Sequence, residues 1–312
     1  RRGGRGKSAA SFKETDCIDQ LFVANTHHTL LCFSNYGRVY WKKVYEIPTG
    51  GRGSRGRPVV NLLPLEEGES IQAVQSIQDF DQGQFLLFAT AQGTVKKTPL
   101  VDYSRPRQSG IIAISLDEGD ALVDVVCTDG ERDIMLFSSD GKCIRFSEQD
   151  VRQTGRSSRG VRGMRLAADQ QVISLVVASQ GDILTATEHG YGKRTPITEY
   201  RCQGRGGLGI IAIQTSERNG RLIDAIQVNE QDEFMLMTSQ GTLVRTRASE
   251  VSQVGRNTQG VRLIRLQSDE SLYAVVPVDP MESDDPEQPI DPMNQPVGEG
   301  VDTLLAGNRH HD

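Results

Sequence analysis

The sequence predicts an all-β fold in which units of four short strands repeat around an axis. Three observations predict it. Glycines that follow a short apolar run recur at Gly37, Gly93, Gly141, Gly190 and Gly241, with gaps of 56, 48, 49 and 51 residues. A second series keeps step with the first at Gly6, Gly56, Gly110, Gly160, Gly209 and Gly260, with gaps of 50, 54, 50, 49 and 51. No stretch of 12 residues sustains the 3.6-residue apolar period of an amphipathic helix. A lone four-stranded sheet of this size cannot bury both faces, and stacking neighbours around an axis solves that problem.

The copy at 132–180 shows the plan most clearly. Residues 134–138 (IMLFS) are an apolar run rich in β-formers. Asp140-Gly141 is a hairpin signal of the type I′ kind, in which both central positions need positive φ. Residues 142–147 (KCIRFS) form the return strand, and a polar, arginine-rich loop follows at 152–159. Residues 161–166 (VRGMRL) alternate as a half-buried strand does, and 171–178 (QVISLVVA) form a more apolar fourth strand. The other copies place first strands at 30–34, 85–90, 183–187 and 234–239, and strands after the loop at 111–116, 210–214 and 261–266. Asn219-Gly220 supplies a further turn.

The units run over about 30–82, 83–131, 132–180, 181–230 and 231–278, after a half unit at 1–29. In that half unit, residues 1–7 (RRGGRGK) align with 51–57 (GRGSRGR), and 17–24 form the closing apolar strand. The hairpin expected before Arg1 is absent, so the chain is expected to be a fragment of a longer polypeptide.

A net charge of −6 conceals an uneven distribution. Residues 279–312 hold nine acids and one base, which leaves 34 bases and 32 acids in residues 1–278. The Pro-, Asp- and Glu-rich tail reads as disordered and is expected to compete with any polyanion for the bases of the repeats. Five cysteines, Cys17, Cys32, Cys127, Cys143 and Cys202, show no paired spacing and read as small core residues in a reducing compartment. With neither a signal peptide nor a long apolar run, the chain is expected in the cytoplasm, as a monomer and away from membranes.

The bases fall in two constellations. The first is a series of six arginine-rich loops. They hold Arg1, Arg2, Gly3, Gly4, Arg5, Gly6 and Lys7; Arg52, Arg55 and Arg57; Arg105 and Arg107; Arg156, Arg159 and Arg162; Arg201 and Arg205; and Arg256 and Arg262. Arginine offers a planar donor fork to phosphate oxygens, and glycine lets the backbone approach a phosphate closely. The second is a column four residues after each hairpin glycine: Lys97, Arg145, Arg194 and Arg245. Lys96 and Lys193 reinforce two of them, and Arg247 is counted with these bases. In the first copy Trp41 takes the position, with Arg38, Lys42 and Lys43 beside it. One column of strand side chains points to one face, so these bases are expected to form an outward stripe. The plainer alternatives are solvated connecting loops and edge-strand lysines that block aggregation.

Other chemistry finds little support. Residues 1–8 (RRGGRGKS) end as a P-loop does but lack its first glycine and its strand-to-helix setting. His27-His28, His189 and His310-His311 have no surrounding Cys or carboxylate set, so no metal is expected. No nucleophile, base and acid fall at a supporting spacing, and no carboxylates recur at positions facing the axis. No cofactor is expected. Aromatic residues are 5% of the chain, too few for the stacking platforms of a single-strand or RNA binder. With no base-reading helix or finger, the expected ligand is duplex DNA held through its phosphates without regard to sequence and bent along a curved positive track.

Residues 1–7 with Ser8-Ala9-Ala10 resemble the box heptapeptide of the A subunit of bacterial DNA gyrase, a type IIA topoisomerase. Residues 19–33, 37–45, 55–65, 90–98, 186–195 and 241–260 resemble the segments that follow it, and the likeness covers 1–278. The leading glutamine of the box is missing, and Arg5 stands where lysine is commoner. The resemblance implies a six-bladed β-pinwheel whose blades exchange strands and whose rim wraps DNA so that gyrase can introduce negative supercoils. It places the cleavage tyrosine and the ATPase elsewhere in an A2B2 holoenzyme, in the B subunit together with the rest of the A subunit, and implies no catalysis in this chain. The alternatives are the counterpart domain of topoisomerase IV and a propeller used for protein interaction.

Overall fold

The computed structural model of the chain describes residues 24–48 and 61–278. The half unit's box, Cys17, the loop bearing Arg52, Arg55 and Arg57, and the acidic tail lie outside the described residues. Within them, strands are joined by turns and by 3-10 turns of three or four residues. Five sheets follow one another along the chain, four of four strands and one of three. The sixth copy counted in the sequence is the half unit, so five blades, not six, are found among the described residues.

Each blade is built on a hairpin. The first blade pairs Thr29–Ser34 with Arg38–Lys43, and the second pairs Phe85–Thr90 with Thr94–Pro99. The third pairs Asp133–Ser138 with Lys142–Ser147, and the fourth Asp182–Thr187 with Tyr191–Pro196. The fifth pairs Glu233–Thr238 with Leu243–Arg247. An inner strand from the same unit lies against the first strand of each hairpin: Ile71–Ile77, Leu122–Thr128, Val172–Val177, Leu222–Val228 and Leu272–Pro277.

The fourth strand is exchanged. Ile111–Ile112 belongs to the second unit but pairs with Arg38 and Val39 of the first blade. Val161–Arg162, Ile210–Ile211 and Val261–Arg262 repeat the handover, each pairing with the blade before its own. The strands expected at 111–116, 161–166, 210–214 and 261–266 are therefore only two residues long and sit in the neighbouring sheet. The alternation read at 161–166 comes from burial of Gly163 and Met164 between blades, not from an extended ladder.

The hairpin glycines explain how the handover is fastened. Gly141 has φ 83°, but Asp140 does not share its positive φ, and the Gly141 amide donates to the Ser138 carbonyl at 2.9 Å. The connection is thus a tight turn closed by a left-handed glycine rather than the expected type I′ turn. The Gly141 carbonyl then accepts the amides of Ala212 and Ile213, at 2.8 and 3.1 Å. That contact is so close that a Cβ on Gly141 would lie 2.2 Å from the Ile213 carbonyl oxygen. Gly37, Gly93 and Gly190 receive the next unit in the same way.

The apolar cores lie between successive blades. Leu31 and Phe33 of the first blade pack on Leu86, Phe88 and Tyr103 of the second unit, and Phe33 meets Phe88 edge-on at 5.5 Å between centroids. Such pairs add about 0.5–1.5 kcal/mol to area burial. Cys32 and Cys143 are buried, but Cys202 is exposed, so the cysteines are not uniformly core residues. All five inner strands line one cavity of about 770 Å³. Into it face five equivalent positions, the partners of the residue just before the hairpin turn: Ala73, Asp124, Ser174, Asp224 and Ala274. Carboxylates do therefore recur facing the axis, contrary to the sequence expectation. No sequence pattern marks them, because the other three equivalents are two alanines and a serine.

Candidate nucleic-acid interface

The arginine loops run from a 3-10 turn after each hairpin to the second-series glycine. Those turns are Leu100–Tyr103, Glu148–Asp150, Ile197–Glu199 and Ala248–Glu250. Arg105, Arg107, Arg159, Arg162, Arg201, Arg205 and Arg262 are exposed, and Arg156 and Arg256 are half-buried. The segment that follows each loop is tied to the next loop. The Ser115 amide and hydroxyl donate to the Ser158 and Ser157 carbonyls at 3.1 and 2.7 Å. The Arg165 amide donates to Gly207 at 2.8 Å, and the Gln214 amide to Thr258 at 2.9 Å. Arg205 reaches back to the carbonyls of Asp150 and Arg162 at 2.9 and 3.0 Å. From the second unit to the fifth, each loop and the segment that follows it are hydrogen-bonded to the next loop, forming one track.

The second-series glycines serve packing. Gly160 has φ 96°, and a Cβ there would lie 2.3 Å from the Val95 carbonyl oxygen of the preceding hairpin. Gly110, Gly209 and Gly260 are held in the same way against Tyr40, Cys143 and Gly192. The close approach that these glycines permit is to a neighbouring blade, while Gly155 and Gly204 within the loops have nothing within 4 Å of an added Cβ.

The basic column is also turned inward. Lys97 donates to the Glu148 carbonyl at 3.0 Å with its Nζ 5.2 Å from the centre of the Phe85 ring. Arg145 donates to the carbonyls of Ile197 and Tyr200 at 3.2 and 3.0 Å, and pairs with Asp133 at 2.9 Å. Arg194 donates to Val251 at 2.9 Å and pairs with Asp182 at 2.9 Å, both side chains being more than nine-tenths buried. In each case the acceptor belongs to the 3-10 turn of the next blade or the residue that ends it. Trp41 fills the same role in the first blade, its indole N–H donating to Tyr103 at 2.8 Å. What the column preserves is thus a long donor that staples one blade to the next. Arg245, on the last blade, pairs with Glu233 of its own blade, as does Arg247 at 3.4 Å, and both remain exposed. The outward stripe expected from Lys97, Arg145 and Arg194 is not formed, because the neighbouring blade covers that face.

Lys96 and Lys193 are buried outright, at 1% and 0% exposure. Lys96 donates to the carbonyls of Ala113 and Arg156. Lys193 donates to Gly255 at 2.7 Å, to Arg256, and to the Thr258 carbonyl and hydroxyl at 3.2 and 3.0 Å. Burial pulls both ammonium groups down to about 7.

In the first blade, Arg38 donates to the Ser109 carbonyl at 3.0 Å, Lys42 pairs with Glu46 at 3.1 Å and Lys43 donates to Thr29 at 2.8 Å, all half-buried. Among the described residues, six exposed bases, Arg132, Arg152, Arg165, Arg218, Arg221 and Arg265, are not among the constellation residues that the sequence marks. Arg165 and Arg265 each stand three residues after a loop arginine, Arg162 and Arg262, and that shared spacing was the available signal.

Blades that pass a strand to their neighbour and bond their loops into a basic track define an all-β propeller of the pinwheel class. The chain belongs to the DNA gyrase C-terminal domain family, a beta-propeller whose model matches residues 28–78, 84–129, 132–179, 181–229 and 232–279. It is 54% identical over 289 residues to the DNA gyrase A subunit of Klebsiella oxytoca, covering 91% of this chain and 33% of that protein. Against the DNA gyrase A subunit of Escherichia coli the identity is 50% over 306 residues, covering 97% and 34%. The chain thus spans about a third of the length of these relatives. A solved DNA gyrase A C-terminal domain superposes with a TM-score of 0.78 at 27% identity, covering 89% of this chain and 92% of that one. The C-terminal domain of a DNA topoisomerase IV gives 0.76 at 26%, covering 86% and 84%. No helix among the described residues is long and apolar enough to cross a membrane.

Proposed function

We propose that this chain binds duplex DNA without regard to sequence and wraps it along the arginine loops, serving as the wrapping domain of a bacterial gyrase in the cytoplasm. The observation that carries this reading is the continuous track, in which each loop bearing exposed arginines is joined to the next through the segment that follows it, across four units. A rigid, curved row of guanidinium groups with few aromatics is suited to phosphates spaced along a duplex and unsuited to unstacked bases. The contacts proposed are the exposed Arg105, Arg107, Arg159, Arg162, Arg201, Arg205, Arg245, Arg247 and Arg262, with Arg156 and Arg256 half-buried beside them. The box, and Arg52, Arg55 and Arg57, join them on sequence grounds. Lys96, Lys97, Lys193, Arg145 and Arg194 support the loops from beneath. The chain itself performs no chemistry in this reading. Strand cleavage and ATP hydrolysis belong to the B subunit together with the rest of the A subunit, and the wrap gives their strand passage its direction.

Counterion release tests the electrostatic part. Each neutralised phosphate contributes about −0.9 to the slope of log K against log salt. Titrating a long duplex at several salt concentrations should give a steep negative slope, the same for unrelated sequences. A slope near zero, or strong sequence preference, would contradict it.

A further inference from the structure

Two of the loops are built around a buried cation. In the second blade, the Lys96 side chain passes beneath the loop of the next unit, holds the main-chain carbonyl of Arg156, and lies with its Nζ 5.1 Å from the centre of the Phe88 ring. In the fourth blade, Lys193 does the same for the loop of the fifth unit and holds Gly255, Arg256 and Thr258. The arginine so held turns its guanidinium to the exchanged strand of the unit before its own in each case, Arg156 to Ile112 at 3.5 Å and Arg256 to Ile211 at 2.8 Å. The same device is thus built twice. The equivalent positions in the first, third and fifth blades are Tyr40, Ile144 and Val244, so cradled loops alternate with uncradled ones. Neither lysine has a carboxylate partner at ion-pair distance among the described residues, although each is deeply buried.

We propose that Lys96 and Lys193 are positioning residues that fix the Arg156 and Arg256 loops in their phosphate-facing form, and that gripping a polyanion there takes up protons. The proposal rests on the DNA-binding reading above. An ammonium offers three donors and a charge, whereas the neutral amine offers two and no charge. At Lys193, where three loop carbonyls and a hydroxyl accept, losing the proton leaves an acceptor unsatisfied. At Lys96, where two carbonyls accept, it removes the charge that strengthens both bonds, and in each case the loop loosens. The charged groups facing Lys96 are Arg156, which disfavours its charge, and Asp102, which favours it. Those facing Lys193 are Glu199, which favours it, and Arg256, which disfavours it. With burial dominant, both lysines titrate near 7 in the free chain. Phosphates docked on the loops raise those values. Affinity is then fullest below about 7 and falls as pH rises through the free and then the bound value, at most about tenfold per pH unit for each lysine.

The test uses the 312-residue chain, a long duplex and the variants Lys96→Met, Lys193→Met and the double replacement. DNA affinity is measured from pH 6.5 to 9.5 at fixed salt, and the lysine side-chain carbon resonances are followed with and without DNA. The native chain should lose affinity steadily above pH 7, and DNA should move both lysine titrations upward. The double variant should bind weakly with a flattened profile. Equal affinity and profile in native and double variant would overturn the proposal and leave the lysines as packing alone. Should the variants fail to fold, a flat native profile or unmoved lysine titrations would overturn it equally. If the chain binds no duplex at all, the DNA reading fails by itself. The amide signals of Gly155, Arg156, Gly255 and Arg256 then decide the positioning role. They should shift together with the lysine titrations, and indifference to them would refute it.

Discussion

Removing Arg194 and removing Arg107 separate two populations of cations that look alike in the sequence. Arg194 is paired with Asp182 and bonded to the Val251 carbonyl in a nearly closed space. Arg194→Ala leaves a buried carboxylate without its partner and should cost about 3–5 kcal/mol, read from denaturant unfolding. Arg107 is exposed. Arg107→Ala should change stability by less than about 0.5 kcal/mol, while lessening the salt slope of DNA binding by about 0.9. Strand alternation told which side chains share a face but not which face the next blade covers, so the sequence could not separate these two arginines.

The axial carboxylates make a second prediction at this scale. Burial pushes Asp124 up to about 7, with the Asp224 carboxylate adding to the rise. Asp224 is raised to about 6 by burial, against the Ser174 hydroxyl and the amides of Val275 and Ala225 that hold its ionised form. A carboxyl whose folded value exceeds its unfolded one, near 4, favours the fold when protonated. Stability should therefore decline as pH rises from about 4 to about 7 through these two groups. Asp124→Asn keeps an acceptor for the Val125 amide, now 2.8 Å from the carboxylate. It should raise stability at pH 7.5 by about 1–3 kcal/mol and flatten that decline. Unchanged melting between pH 5 and 7.5 in both proteins would contradict it.

At the scale of the element, the hairpin and its glycine were legible and the exchanged strand was not. The apolar runs, their spacing and the glycine series marked all five hairpins, because each obeys a period that a sequence displays. The exchanged strand has two residues, too few for any period, and its partner lies in another unit. Two glycines weigh the two roles that the residue can have. Gly83 has φ 69° and nothing within 4 Å of an added Cβ, so Gly83→Ala should cost about 1 kcal/mol from backbone strain alone. Gly141→Ala adds a 2.2 Å clash with the strand passed on from the next unit and should cost more than about 2 kcal/mol. Thermal melting of the two variants side by side checks the difference, and equal losses would mean that the handover is not fastened at Gly141.

At the scale of the whole molecule, the sequence conveyed a radial all-β array and a six-fold arginine pattern, and five blades stand among the described residues. The loop arginines were readable because they recur in register. Their joining into a track was not, since it depends on main-chain bonds such as Arg165 to Gly207 that no side-chain pattern encodes. That joining gives the account its central claim, that the chain constrains a bend in duplex DNA and does more than adhere to it. Smoothly bending 20–30 base pairs by 40–90° costs on the order of 1–6 kcal/mol, which phosphate contacts spread along a stiff track can offset. The most direct measurement is the linking number of a nicked plasmid sealed by ligase in the presence of this chain at low salt. The account predicts a shift of one sign that grows with the ratio of protein to DNA and fades as salt rises. An unchanged linking number at saturating protein, with binding confirmed in the same sample, would contradict it.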